Sequence, residues 1–222
     1  MAPFAGLMRS QLATPTAFPV VGLTAYHLLH SAYQVERGTT VLIHAIGGAV
    51  GLALTQLAVA AGARVIGTVG SAEKAARPLS YGADEVVDRS RTDFCEAVMA
   101  FSEGRGVDLV IDSLGGEILP KSIDLLRTYG HAINIGEAMG FPDFDIRSHL
   151  YRNSTSLAGF ELLHAMRLPG AWQRGVDHVL GEIAAGRLEI PIEGTYDLKE
   201  VRDLHARLEG RGVSGKLLLK VG

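Results

Sequence analysis

The chain has 222 residues, of which 47% are hydrophobic and 20% charged, with a net charge of −3. Such a balance supports a buried core and excludes both a disordered chain and a strongly basic nucleic-acid surface. The single cysteine, Cys95, excludes an intramolecular disulfide and a cysteine-rich zinc site.

Residues 1–18 contain two prolines, Pro3 and Pro15, and lack a long apolar run before a cleavage site, so they are read as a lead-in and not as a signal peptide. With no leader and reduced cysteine chemistry, a cytoplasmic location is expected. No charged residue falls between Arg37 and Arg64, a stretch long enough to mimic a membrane span. Gly47, Gly48 and Gly51 interrupt that stretch, and no membrane association is expected.

In chain order, a helix is predicted from Gly22 to about Val35, then a strand Thr40 to His44 (TVLIH). An apolar crossover helix follows from Gly48 to Ala61. Arg64 to Thr68 is the second strand and Ala72 to Tyr81 the next helix, closed by Gly82. Glu85 to Val87, Leu109 to Asp112 and His131 to Ile135 are strands. They are separated by helices from Asp93 to about Phe101 and from Glu117 to about Leu126, the latter stopped at Tyr129-Gly130. Glu137 to Asn153 reads as irregular. A sixth strand is placed at Ser156 to Phe160 and a helix at Trp172 to Ala185. In the tail, Glu189 to Ile192 is extended, Leu198 to Leu208 helical and Lys216 to Val221 a last strand. Alternating strands and helices give an α/β fold: a doubly wound parallel sheet of the Rossmann type, first strand central, over residues 19–188. Residues 189–222 form a short C-terminal annex.

Between the first strand and its helix lies His44-Ala45-Ile46-Gly47-Gly48-Ala49-Val50-Gly51. A pyrophosphate needs backbone N–H groups at a helix N-terminus with no side chain in the way. Gly48 allows close approach of the phosphates, and Gly51 allows the helix to lie against the strand. The dinucleotide fingerprint is G-x-G-x-x-G, and Ile46 occupies its first glycine position. The same glycines would also serve tight strand–helix packing alone. The second strand ends Gly67-Thr68-Val69-Gly70-Ser71 without the acid that holds the ribose hydroxyls of NAD. Ser71 and Lys74 instead offer a donor and a positive charge to a 2′-phosphate, and Arg89 a second cation. This favours NADPH over NADH unless these are ordinary solvated charges. His44 is read as a packed or loop-stabilising histidine.

Five stretches together resemble the medium-chain dehydrogenase/reductase superfamily, in particular its zinc-independent quinone oxidoreductases and polyketide enoyl reductases. They are Gly22-Leu23-Thr24-Ala25-Tyr26, VLIHAIGGAVG, GTVGSAEK, GVDLVIDSLGG and Gly215-Lys216-Leu217-Leu218-Leu219. The resemblance implies hydride transfer from NADPH to an activated double bond, as in an enone or enoyl thioester, or to a quinone. Ile46 through Gly51 would carry the pyrophosphate, and Thr68, Ser71, Lys74 and Arg89 the adenosine end. Ser113, Leu114, Asn134, Ile135 and Gly136 would line the sheet's carboxyl edge toward the nicotinamide. Thr24 and Tyr26 are the candidate catalytic residues, with a core role in its helix an equal reading for Tyr26. No metal is expected: His27 and His30 share a helix face without an evident third ligand. Ile46, Ala49 and Glu137 depart from the family pattern, the last standing where a lysine is common. Family members carry a GroES-like domain ahead of this region, so the chain is read as an excised fragment, a naturally truncated member or half of a two-chain enzyme; a separate GroES-like domain is a candidate partner, and homodimerisation through the edge strand is expected. The alternative is a non-catalytic NADPH-binding or subunit/interaction domain.

Overall fold

The computed structural model describes residues 13–210 and 212–221. Most of the lead-in therefore lies outside the described residues. The elements are α1 (Ala13–His27), β1 (Thr40–His44), α2 (Ala49–Ala60), β2 (Arg64–Val69), α3 (Ala76–Ser80), β3 (Glu85–Asp88), α4 (Phe94–Phe101), β4 (Val107–Asp112) and α5 (Ile118–Asp124). They continue with β5 (Leu126–Asn134), α6 (Ile146–Asn153), β6 (Ser156–Gly159), α7 (Ala171–Ala184), β7 (Ile192–Asp197), α8 (Val201–Glu209) and β8 (Lys216–Lys220).

Strands β1 to β6 form one parallel sheet in the order β3-β2-β1-β4-β5-β6. This is the doubly wound Rossmann order, with β1 beside the point where the order reverses. Both faces of the sheet are covered. Val41, Ile43, Val65, Leu109 and Ile111 pack in one core with Leu23 of α1, Leu54 and Leu57 of α2 and Val179 of α7. Their alternates Leu42, Ile66 and Val110 pack in the other with Phe94 and Val98 of α4 and Ile118, Leu119 and Ile123 of α5. A strand buried on both faces explains why TVLIH is apolar throughout rather than alternating. Helix α2 is equally apolar because Gly51 through Ala58 are all buried.

Several elements differ from the sequence reading. The helix predicted over Ala72 to Tyr81 is divided into a 3-10 turn (Ala72–Lys74) and α3, with Pro78 in the first turn of α3, where its missing N–H costs nothing. The first helix continues past His27 as a π turn, Leu28–Ala32. Strand β5 starts at Leu126, because Tyr129 takes φ 62 and the chain passes through an irregularity against β4 instead of stopping at Gly130. The irregular stretch before Asn153 contains α6, capped by the Asp145 carboxylate, which accepts from Arg147 N.

The tail forms a separate two-stranded parallel sheet, β7 with β8. It is tied to α2 through Gln56, whose amide donates to Glu189 O (2.9 Å) and accepts from Glu189 N (2.8 Å).

Candidate functional site

A cleft of about 650 Å³ opens at the carboxyl ends of β1 to β4. Beyond His44 the chain turns through Ala45, which adopts φ 51, and Gly48 N donates to Ala45 O at 2.9 Å. Helix α2 then begins at Ala49 with Gly48 as its N-cap and no side chain capping its first turn. Its leading amides and the positive end of its dipole therefore face the cleft, an arrangement that suits an anion. A Cβ on Gly51 would stand 2.6 Å from Ile46 Cα and from Ile46 O, so only glycine lets α2 lie this close to the turn.

Seven of the sequence-predicted residues line this cleft: Gly47, Gly48, Ala49, Ser71, Lys74, Arg89 and Leu114. Val50 and Gly51 belong to the same first helical turn. The opposite wall comes from the tail, including Leu208, Val213, Gly215, Lys216 and Leu217, which the sequence reading did not assign to the site. Lys74 Nζ donates to Val213 O at 2.9 Å, Arg77 donates to Ser214 O, and Ser214 Oγ donates to Gly47 O at 2.9 Å. These contacts join residues far apart in sequence, and no local pattern announces them. Arg89, just after β3, reaches Met139 Sδ, beyond the end of β5, at 3.6 Å.

Ile46 and Thr68 turn their side chains away from the cleft. The Ile46 side chain is fully buried in the core, facing Gly67 and not the cleft. Its backbone is held by Ile46 N donating to Thr68 O at 3.0 Å. The isoleucine at the first fingerprint position therefore leaves the cleft open. Thr68 is fully buried, and its hydroxyl meets His44 Nδ1 at 2.8 Å, so it faces inward as well.

Further along the carboxyl edge, Asp112 accepts from Leu114 N (2.9 Å), Gly115 N (3.0 Å) and Asn134 Nδ2 (3.1 Å). Burial raises its pKa against the opposing pull of those donors. Asn134 Nδ2 also donates to Gly136 O at 3.0 Å. Ser113, Asn134, Ile135 and Gly136 thus form a second stretch of the edge, outside the walls of the cleft.

Neither candidate catalytic residue lines the cleft. Thr24 is buried in α1. Tyr26, two residues on and so across the helix, packs its ring 4.8 Å from His30 and 5.0 Å from His178 of α7.

His44 is buried, and burial with the nearby Arg89 charge pushes its pKa down to about 3. His27, His30 and His131 are also lowered, each chiefly by burial. Below the usual histidine value the unfolded chain takes up protons that these folded rings refuse, so stability is lost as pH falls. The urea midpoint is expected to drop between about pH 7 and pH 5, each fully suppressed histidine adding a slope of up to about 1.4 kcal/mol per pH unit. An equal or higher midpoint at the lower pH would contradict this.

The sheet order, the glycine-rich turn and the uncapped helix at the switch point define a protein of the Rossmann class. Residues 49–179 match the family model described as zinc-binding dehydrogenase, and the chain belongs to that family. It is 35% identical over 203 residues to a probable quinone oxidoreductase of Schizosaccharomyces pombe, covering 89% of this chain and 60% of the relative. It is 33% identical over 205 residues to a 2-haloacrylate reductase of a Burkholderia species, with the same coverage. The structure of the Escherichia coli quinone oxidoreductase complexed with NADPH superposes with a TM-score of 0.85 at 30% identity, covering 90% of this chain and 62% of that one. The chain thus spans about 60% of the length of these relatives. Among the described residues no group of three His, Cys, Asp or Glu is placed to hold a metal ion, so the zinc in the family's description has no ligand set among them. Among them, too, no helix is long and apolar enough to cross a membrane.

Proposed function

We propose that this chain is the dinucleotide-binding part of an NADPH-dependent reductase that delivers hydride to an activated double bond or a quinone. The observation that carries the reading is the uncapped N-terminus of α2 opening into a cleft that also holds Ser71, Lys74 and Arg89. The amides from Gly47 to Gly51 would take the pyrophosphate, and Ser71, Lys74 and Arg89 the 2′-phosphate. Ser113 and the Asn134–Gly136 edge would lie toward the nicotinamide end, which when bound supplies the hydride. The protein's share is to orient that ring and to exclude water. The named relatives, a 2-haloacrylate reductase and a quinone oxidoreductase, support both acceptor classes.

A second reading, a non-catalytic NADPH-binding or subunit domain, is supported by the absence of Thr24 and Tyr26 from the walls of the cleft. The tail supports a partner in either case. A two-stranded sheet is marginal alone, so β7 and β8 would be completed by strands of a GroES-like domain. Strand β6 lies at the edge of the main sheet, and its open edge supports pairing with a second copy of the chain.

Lys74→Ala and Arg89→Ala test the cofactor choice. Each is expected to weaken NADPH binding by about 10- to 100-fold, the loss of one charge-assisted contact, while NADH binding stays unchanged. Equal losses for both cofactors in calorimetric titration would count against the 2′-phosphate assignment.

A further inference from the structure

We propose that His44 is a positioning residue for dinucleotide binding, a buried clamp that sets the backbone of the glycine-rich turn; this rests on the dinucleotide reading above. His44 is the last residue of β1 and is 2% exposed. Its Nδ1 lies 2.8 Å from Thr68 Oγ1 and its Nε2 2.7 Å from Ser122 Oγ. The Ser122 hydroxyl gives its own hydrogen to Ile118 O at 2.7 Å. Toward His44 it can only accept, so the imidazole carries its hydrogen on Nε2, and Nδ1 accepts from the Thr68 hydroxyl. The ring is neutral and held in one tautomer, with Phe94 edge-on at 5.2 Å.

The clamp joins β1, β2 and α5 beneath the turn. His44 and Thr68 are direct partners across the β1–β2 ladder. Thr68 grips the turn twice: through its hydroxyl on His44 and through its carbonyl, which accepts from Ile46 N at 3.0 Å. Ala45, between those two points, holds the left-handed φ of 51, which alanine seldom adopts. Such a conformation persists where its surroundings over-determine it. The geometry thus passes from the ring to Ala45, from Ala45 O to Gly48 N, and from there to the amides that open α2. Lys74 and Arg89 follow β2 and β3 and make no hydrogen bond to His44, Thr68 or Ser122 in this relay, so the clamp acts on the pyrophosphate amides rather than on the 2′-phosphate cations.

The test uses the full chain with three variants. Thr68→Val removes the donor to Nδ1, Ser122→Ala removes the acceptor of Nε2–H, and Thr68→Ser keeps the hydroxyl. NADPH and 2′-AMP are titrated separately by calorimetry. The Kd for NADPH is expected to rise about tenfold in Thr68→Val and Ser122→Ala and to stay within about twofold in Thr68→Ser. Binding of 2′-AMP, which has no pyrophosphate, is expected to be unchanged in all three. A merely structural role would lower the melting temperature without separating the two ligands. Nitrogen NMR of the wild-type ring is expected to report Nε2–H through neutral pH. Unchanged NADPH affinity in both disrupting variants, parallel losses of NADPH and 2′-AMP, or an Nδ1–H ring would overturn the proposal. Failure of the wild type to bind NADPH at all would instead refute the dinucleotide reading and the role built on it, while the ring spectrum would still judge the clamp.

Discussion

Gly51→Ala is expected to abolish dinucleotide binding and to cost the fold about 3 kcal/mol or more. The new Cβ would meet Ile46 Cα and Ile46 O at 2.6 Å and Ala45 O at 2.7 Å. All three are backbone atoms of the turn, so no side-chain rotation relieves the overlap. Either α2 moves away from β1 or the turn itself is displaced. The first choice opens the core around Leu54 and Leu57, and the second redirects the amides that open the helix. Losing two charge-assisted N–H contacts to a pyrophosphate would lower affinity by at least about 100-fold. Calorimetric titration beside urea denaturation checks both effects. A variant that kept near-native affinity would show that the helix terminus does not hold the phosphates.

The second large effect concerns Gly67. A Cβ there would lie 2.3 Å from Ile46 Cδ1, 2.6 Å from Cβ and 2.8 Å from Cγ2. Ile46 is branched at Cβ and fully buried, so it has little room to rotate away. Gly67→Ala alone is therefore expected to cost about 2–4 kcal/mol by overpacking, and Ile46→Ala alone a similar amount by leaving a cavity. In the double variant the added methyl enters the space that the isoleucine vacates. Its loss should fall short of the sum of the single losses by at least about 1 kcal/mol. Strict additivity would mean that the two positions do not form a matched pair.

That pair explains how the site could be half legible. The sequence shows isoleucine where the dinucleotide fingerprint has glycine, and shows Gly67 in mid-strand, but it does not show that each fills the other's space across β1 and β2. The doubly wound sheet and the central place of β1 follow from the alternation of strands and helices, whereas the strand order itself is read from the structure. Helix α6 escapes a sequence reading because none of its residues is buried, so no apolar stripe marks it. Strand β5 is expected to begin late because Tyr129-Gly130 resembles a helix stop, whereas tertiary pairing with β4 carries the strand through it. Thr68 stands one residue before the end of its strand, and its hydroxyl turns inward to a histidine 24 residues away. The tail's wall of the cleft depends on contacts spanning more than 130 residues, such as Lys74 to Val213. No period or local motif encodes those.

The central claim is that the cleft at the head of α2 binds a dinucleotide and recognises its 2′-phosphate. Calorimetric titration of the full chain with NADPH and, separately, with NADH tests it most directly. The account predicts saturable NADPH binding at least about tenfold tighter than NADH, as expected when Lys74 and Arg89 each contribute a charge-assisted contact. Equal affinity for the two would contradict the assignment of those cations, and no binding of either would contradict the cofactor site itself.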